Sequence, residues 1–101
     1  MKQFHAFRLD TTNHCLWRGD ERVSLTPKAF DLLRYLIAHR GRPVPHRELL
    51  QAVWGPDYGN ETEYLRVFVN ALRKKIEPNP SSPQYLITEP WVGYRFDLPA
   101  Q

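Results

Sequence analysis

The chain has 101 residues, of which 42% are hydrophobic and 25% charged, so it can form one compact domain with a single core but not a multidomain enzyme. It lacks any run near the roughly 18 apolar residues that span a bilayer, it lacks the apolar run of a signal peptide, and its single cysteine, Cys15, excludes an internal disulfide. The formal net charge is +3, and residues 1–38, 39–75 and 76–101 contribute +2, +3 and −2, which suits a polyanionic partner if folding gathers the middle segment on one face.

The first 25 residues predict an antiparallel β-sheet. Residues 4–10 alternate, with Phe7 and Leu9 on one side of a strand and Arg8 on the other. Two short apolar runs follow at residues 15–17 and 23–25, bounded by turn-rich segments. We therefore expect three short strands, the first of which covers the alternating segment.

Two helices are predicted after the sheet. Thr26 followed by Pro27 supplies an N-cap acceptor and a preset first helical φ, and the apolar residues that follow recur at helical spacing. This pattern predicts a helix over residues 27–39. After a proline-rich segment, an apolar stripe that ends at Trp54 predicts a short second helix, which the loop at residues 55–59 terminates.

A third helix is predicted over residues 61–77, because its apolar positions also follow helical spacing. Asn60 and Glu63 have the spacing of a capping box at its start. Three prolines then forbid its continuation, and two short strands at residues 85–88 and 93–96 flank a turn.

This order of elements predicts an α+β fold, a winged helix-turn-helix made by a single domain over residues 1–101. Its parts are an N-terminal sheet (residues 1–25), a three-helix core (residues 26–77) and a C-terminal hairpin wing (residues 85–97). In such a fold the second helix of a pair enters a groove of nucleic acid, and the hairpin lies beside it.

A helical wheel of the third helix separates an apolar stripe from a basic outer face. From residue 64 to residue 75 the helix has four cations and no acid. Arg and Lys can donate to guanine or phosphate, Asn can pair with adenine, and Val or Ala can contact the thymine methyl. The residues predicted to read bases are Arg66, Val67, Asn70, Ala71 and Lys74. The alternative is the ordinary solvent face of an amphipathic helix.

A second set of residues is predicted to contact phosphates: His46, Arg47, Trp54, Tyr64, Arg73, Tyr94 and Arg95, with Arg66 able to serve in both sets. His46 and Arg47 begin the second helix, where backbone N–H groups favour an anion. Trp54 is expected to bury its ring and to leave its indole N–H available. Tyr94 is either a phosphate contact or a core aromatic. Phe68 either belongs to the edge of the core or packs on a sugar.

Four stretches together resemble the OmpR/PhoB-type output domain of two-component response regulators. They are LTPKAFDLL from residue 25, ELLQAVWG from residue 48, LRKKIEP from residue 72 and GYRF from residue 93. Within this family, residues 64–96 are most similar to the KdpE subfamily. The resemblance implies a four-stranded N-terminal sheet and a recognition helix that carries Arg66, Asn70, Ala71, Arg73 and Lys74. It also implies tandem dimers that bind direct repeats in promoter DNA.

The resemblance implies further partners as well. The loop after the second helix is similar to the family's transactivation loop, so Pro56, Asp57 and Tyr58 are implied to contact RNA polymerase. Phosphorylation of a separate receiver domain normally drives tandem binding, and no receiver domain is expected within these residues. The wing departs from the family, because Pro90-Trp91 stands where many relatives have Arg-Gly. Trp91 is then expected to pack against a sugar or a partner.

The leading hypothesis is a cytoplasmic, sequence-specific DNA-binding domain that regulates transcription. The alternative is a winged-helix module that docks on a protein without sequence preference for DNA. An enzyme is not expected, because the sequence has no glycine-rich phosphate loop, nucleophile elbow, HExxH pair or close carboxylate pair. The four histidines show no ligand-pair spacing around Cys15, so neither a metal nor another cofactor is expected.

Overall fold

The computed structural model describes residues 2–4 and 6–98, and residues 2–4 are described by their backbone alone. Four antiparallel strands form the N-terminal sheet in chain order: β1 (Lys2–Phe4), β2 (Phe7–Asp10), β3 (Cys15–Arg18) and β4 (Glu21–Val23). The helices are α1 (Pro27–Ala38), α2 (His46–Trp54) and α3 (Thr62–Ile76). A second sheet has the order β5 (Val44–Pro45), β7 (Gly93–Phe96) and β6 (Leu86–Glu89). This architecture confirms the predicted winged helix-turn-helix.

The opening segment forms two strands, so the prediction of three strands from alternation is wrong, and the four strands implied by the resemblance are confirmed. β1 and β2 form a hairpin in which Phe4 is paired with Phe7. Only residues 5 and 6 remain for the turn, and residue 5 lies outside the described residues. Neither is Gly, Asn or Asp, the usual residues of two-residue hairpin turns. The alternating pattern therefore carried no signal of the chain reversal.

The three helices bury the stripes predicted from their spacing. α1 begins at the predicted cap, where the hydroxyl of Thr26 accepts a hydrogen bond from the backbone N–H of Ala29 at 3.3 Å. The larger buried side chains of the helices are Phe30, Leu32, Leu33, Leu36, Ile37, Leu49, Leu50, Val53, Leu65, Val69, Leu72 and Ile76. Phe68 is half-buried and packs against this core, so of its two predicted roles it takes that of a residue at the core edge. No helix in the described part of the chain is long and apolar enough to cross a membrane.

The start of α3 differs from the predicted capping box. The N-cap residue is Glu61, whose side chain makes no cap hydrogen bond. Its carboxylate instead accepts hydrogen bonds from the backbone N–H groups of Gly59 and Asn60, at 2.8 and 2.9 Å. Glu63 forms an ion pair with Arg66 at 3.1 Å. The box is absent because the carboxylate of Glu61 folds back onto the loop and accepts the backbone N–H of Asn60 in place of Glu63.

Gly93 holds the wing against the start of α2. A Cβ at this position would lie 1.9 Å from the carbonyl oxygen of Val44 in the neighbouring strand β5. Beside it, the backbone N–H of His46 donates to the carbonyl oxygen of Val92 at 3.1 Å. β5 has only two residues and was not predicted, yet it connects α2 to the hairpin. This close approach of two backbones requires glycine.

A buried carboxylate fastens the other end of the wing to α3. Glu77, immediately after the helix, is 7% exposed. Its two oxygens accept hydrogen bonds from the backbone N–H groups of Gln84, Tyr85 and Leu86 at 2.7–3.2 Å. Such charge-assisted bonds satisfy the buried charge and fix where β6 begins.

A second carboxylate connects α1 with α2. Glu48, in the first turn of α2, accepts two hydrogen bonds from the guanidinium of Arg42, at 2.7 and 3.3 Å, and one from the hydroxyl of Tyr35 in α1. The Arg42 hydrogen bonds, followed by that of Tyr35, lower the pKa of Glu48 from its ordinary 4.5 to about 2. The ionised form is therefore the one that the fold stabilises.

Replacing Gly93 with Ala should destabilise the domain by at least about 2 kcal/mol, because the added methyl group overlaps a backbone oxygen that cannot rotate away. Urea denaturation measures this loss. Gly41→Ala is the matched control. A Cβ at Gly41 meets no atom within 4 Å, so this variant measures only the cost of alanine at a φ of +84° and includes no close approach. Equal losses for the two variants would contradict the close-approach explanation.

Replacing Glu48 with Gln should remove part of the acid sensitivity of folding. The pKa is lower in the folded state than in the unfolded state, so the stabilisation is fully present above about pH 5 and is lost as the pH falls towards 2. Wild type should therefore be the more stable at pH 7, and the difference in Tm should shrink through this window. The control is Glu21→Gln, which removes an exposed ion pair with Arg18. A difference that is constant with pH would contradict this account.

Candidate nucleic-acid interface

The outer face of α3 is exposed as the helical wheel predicts. All five predicted base-reading residues are exposed, namely Arg66, Val67, Asn70, Ala71 and Lys74. Val67 is the clearest case, since a β-branched apolar side chain is 65% exposed in the middle of the helix. The packing of the opposite stripe into the core determines this orientation. The face thus presents two cations, one amide and two small apolar side chains to solvent.

Two grooves lie along the outer face of α3, one on each side of the helix. The wing groove lies between α3 and the wing, and encloses about 370 Å³. It is lined by His46, Arg66, Asn70, Arg73, Thr88, Glu89, Trp91 and Tyr94. The sheet-side groove has a volume of about 290 Å³ and is mainly apolar. It is lined by Ser24, Leu25, Thr26, Ala29, Val67, Phe68, Ala71, Leu72 and Lys75. Four of the five predicted base-reading residues therefore line these grooves, Arg66 and Asn70 on the polar side and Val67 and Ala71 on the apolar side.

Arg73 connects α3 to the wing. Its Nε and one terminal nitrogen donate to the carbonyl oxygen of Leu86 at 3.1 and 2.8 Å, and the same terminal nitrogen donates to the hydroxyl of Thr88 at 2.8 Å. The other terminal nitrogen donates to the side-chain oxygen of Asn70 at 3.4 Å. Burial lowers the pKa of the Arg73 guanidinium below its ordinary value, and the group still remains protonated. Four of its five N–H donors have partners within the domain.

Tyr94 forms the floor of the wing groove and is a buried core aromatic, 5% exposed. The guanidinium carbon of Arg73 lies 5.9 Å from the centre of its ring. The ring of His46 meets it edge to face, with 5.5 Å between the centroids. Burial raises the pKa of the Tyr94 phenol above its ordinary value. Tyr94 therefore supports the two basic side chains that line the groove.

Arg95 is not brought into the wing groove. Consecutive strand residues point to opposite faces, so Arg95 lies on the face away from Tyr94. Its guanidinium forms ion pairs with Glu89 and with Asp97, the latter at 2.9 Å. Two carboxylates neutralise its charge, a pairing that the isolated GYRF motif gives no means to predict.

An aromatic cluster joins α2, the following loop and α3. The Trp54 ring is half-buried and lies 5.0 Å from Phe68, 5.4 Å from Tyr64 and 6.4 Å from Tyr58 between centroids. Its ring packs on the core as predicted, but its Nε1 is buried and has no hydrogen-bond partner. The indole N–H is thus left without a partner within the domain, although packing shields it from solvent, and its contact with phosphate stays a prediction.

The remaining predicted residues near this cluster are accessible. Tyr64 is 45% exposed. Arg47 is exposed and donates a hydrogen bond to the side-chain oxygen of Asn60 at 3.4 Å. In the loop, Pro56 and Asp57 are exposed, whereas Tyr58 is half-buried against Trp54.

Sequence reasoning missed Thr88 and Glu77, which orient Arg73 and the wing. A short hydroxyl side chain and a carboxylate after a helix carry no signal by themselves, since both act through contacts with residues distant in sequence. Among the residues whose side chains are described, 6–98, no group of three or more His, Cys, Asp or Glu is placed to hold a metal ion.

Comparison with known proteins places this arrangement in a family. The family model described as "Transcriptional regulatory protein, C terminal" matches residues 20–96. The chain is 42% identical over 92 residues to the transcriptional regulatory protein KdpE of Mycobacterium tuberculosis, a match covering 91% of this chain and 41% of that protein. It is 40% identical over 96 residues to KdpE of Escherichia coli, covering 95% and 43%. The chain thus spans about two fifths of the length of these curated relatives.

Solved structures give the same result. The DNA-binding domain of Klebsiella pneumoniae RstA, in complex with the RstA box, matches with a TM-score of 0.85 and 29% identity over 95% of both chains. The response regulator DrrB of Thermotoga maritima, an OmpR/PhoB homologue, also has a TM-score of 0.85, with 27% identity over 95% of this chain and 43% of that one. The chain therefore belongs to the OmpR/PhoB-type family of C-terminal domains of transcriptional regulatory proteins, which is a family of regulators and not of enzymes.

Proposed function

We propose that this domain binds double-stranded DNA in a sequence-specific way and regulates transcription as the effector domain of a two-component response regulator. The observation that carries the proposal is the outer face of α3, where Arg66, Asn70 and Lys74 are exposed in a stretch of helix without a carboxylate. A helix of this kind fits the major groove, in which each base pair presents a distinct pattern of donors and acceptors.

The two sides of α3 suit different parts of a base pair. Arg66 and Asn70 line the polar wing groove and can form bidentate hydrogen bonds with guanine and adenine. Val67 and Ala71 line the apolar sheet-side groove and can contact the methyl group of thymine. Lys74 lines neither groove and projects from the crest between them. We assign base reading to these five residues, of which Arg66 also contacts phosphate.

Phosphate binding is assigned to side chains around the rim of this face. Arg47 and Tyr64 are exposed, His46 is half-buried, and Arg73 has one N–H donor beyond its partners within the domain. Trp54 and Tyr94 act by supporting these residues, since their rings are packed in clusters. Arg95 contributes little to the attraction of DNA, because its charge is already neutralised. Such contacts fix the position of the domain on the duplex.

The remaining assignments rest on the family resemblance. We propose that the domain acts in the cytoplasm and binds direct repeats of promoter DNA in tandem. We also propose that a receiver domain of the full-length regulator controls this binding. The loop at Pro56, Asp57 and Tyr58 is proposed to contact RNA polymerase. The exposure of the first two loop residues supports the last proposal. Tyr58 packs on Trp54 and holds the loop beside the start of α3.

The test of the proposed function is selection of bound duplexes from a random pool at about 50 and about 200 mM salt, followed by titration of the enriched sequence. We expect a repeated motif and an affinity that falls with salt. Arg66→Ala should lower the slope of log affinity against log salt by about 1, whereas Asn70→Ala should leave the slope unchanged and relax preference at one base pair.

Arg18→Ala is the matched control for Arg66→Ala. Arg18 is likewise an exposed arginine with a partner three residues away, Glu21 at 3.2 Å, but it lies in the N-terminal sheet. It should leave the salt slope unchanged. Equal effects of the two arginine variants would contradict the assigned interface. An absence of both enrichment and binding at low salt would refute the DNA-binding function and favour the protein-interaction module.

A separate prediction concerns Arg73, to which we assign a positioning role. Arg73→Lys keeps the charge but cannot reproduce the forked hydrogen bonds to Leu86 and Thr88. It should destabilise the domain by about 1–2 kcal/mol and weaken DNA binding without changing the salt slope. Arg18→Lys, at an exposed ion pair outside the interface, should change neither property appreciably. The idea fails if Arg73→Lys resembles wild type in both thermal unfolding and DNA titration.

A further inference from the structure

The tip of the wing carries a fully exposed tryptophan. Trp91 has 101% of its reference surface accessible, and Val92 beside it is 43% exposed. Burying an aromatic ring of this size removes 150 Å² or more of apolar surface from water. No other large hydrophobic residue among those described is as exposed. The free domain therefore gains nothing from the packing of this side chain.

The backbone at this position also favours a residue other than tryptophan. Trp91 has a φ of +68°, in the left-handed region. The backbone N–H of Val92 donates to the carbonyl oxygen of Glu89 at 3.1 Å and closes a turn with Pro90 and Trp91 at its centre. Proline fixes a negative φ at the first central position, so this is a type II turn, whose second central position favours Gly or Asn. The indole is thus held at a strained position where it contributes nothing to the core.

The surroundings indicate what the ring contacts. Trp91 lines the wing groove together with Arg66 and Arg73, and the carboxylate of Glu89 in the same groove is paired with Arg95. The pairing of Gly93 with β5 and the hydrogen bond between His46 and Val92 hold the tip in place relative to α2. An apolar ring fixed beside cations matches a polymer that alternates phosphates with apolar sugar faces. Nucleic acid has this alternation along its whole length.

We propose that Trp91 is a DNA-contacting residue of the wing, whose indole packs on deoxyribose and base edges in the minor groove that adjoins the major groove occupied by α3. This inference rests on the proposed function. Apolar side chains that enter the minor groove contact sugars and base steps without neutralising a phosphate. Trp91 therefore makes a contribution to the affinity that does not depend on salt. An arginine at the same position would make a salt-dependent contribution.

The test compares Trp91→Gly, Trp91→Asn and Trp91→Phe with wild type on the selected duplex. Gly and Asn both suit the left-handed turn and remove the ring, so any loss of affinity is not a loss of folding, which thermal unfolding verifies. Both should weaken binding roughly tenfold and leave the salt slope unchanged. Trp91→Phe keeps an aromatic ring and should bind within about threefold of wild type.

Fluorescence gives an independent measure. The chain has three tryptophans, so the difference between wild type and Trp91→Phe isolates the emission of Trp91. Saturating duplex should shield this emission from acrylamide and should leave that of Trp17 and Trp54 unchanged.

Three further outcomes would count against the inference in different ways. Wild-type affinity of both Trp91→Gly and Trp91→Asn would overturn the contact, while sequence-specific binding by all variants would leave the proposed function intact. Unchanged acrylamide access on saturating DNA would also overturn it, and would assign Trp91 to a protein partner. Failure of wild type itself to bind duplex at about 50 mM salt would refute the proposed function, and the inference with it.

Discussion

The geometry of the whole interface depends on a guanidinium held between α3 and the wing. Arg73 donates to the main-chain carbonyl oxygen of Leu86 at the start of β6 and to the hydroxyl of Thr88 two residues later. One turn further along the chain, the carboxylate of Glu77 accepts the N–H groups of the residues that lead into the same strand. The guanidinium of Arg73 thus binds hydrogen-bond acceptors at the start of β6, and the carboxylate of Glu77 binds the donors there. The half-buried guanidinium and the buried carboxylate both bind backbone groups of the wing, so removing either one would leave polar groups without partners.

The opposite end of the wing is fixed by shape instead of charge. Gly93 allows β7 to approach Val44 closely enough that no side chain fits between the two strands. The wing is therefore held by α3 at the start of β6 and by the N-terminus of α2 at the start of β7. A surface whose parts are fixed before binding loses less conformational freedom when a ligand arrives. Residues far from the outer face of α3 therefore help to fix the geometry of this surface.

Much of the fold could be predicted from the sequence, because helix periodicity is a local property. Leu65, Val69 and Leu72 recur on one side of α3, and this spacing alone determined which side chains face outward. What could not be predicted depends on distant contacts. The wing partners of Arg73 are 13 and 15 residues away, and the pairing of Arg95 with Glu89 depends on the register of a hairpin. A helical wheel or a motif shows that a cation is present but not whether that cation already has a partner within the domain.

This distinction limits how strongly one domain can attract DNA. Of the arginines predicted to contact phosphate, Arg95 is neutralised, Arg66 forms an exposed ion pair with Glu63, and Arg73 keeps its charge but has a single remaining donor, so few cationic groups of the site are free to bind phosphate. Few phosphate contacts mean a shallow dependence on salt and a modest affinity for one half-site. Two domains on adjacent repeats would bind at a high effective concentration and recover affinity without new cations. The small number of free charges is thus consistent with the tandem arrangement that the family resemblance implies, and it increases the relative weight of an apolar contact at the wing tip.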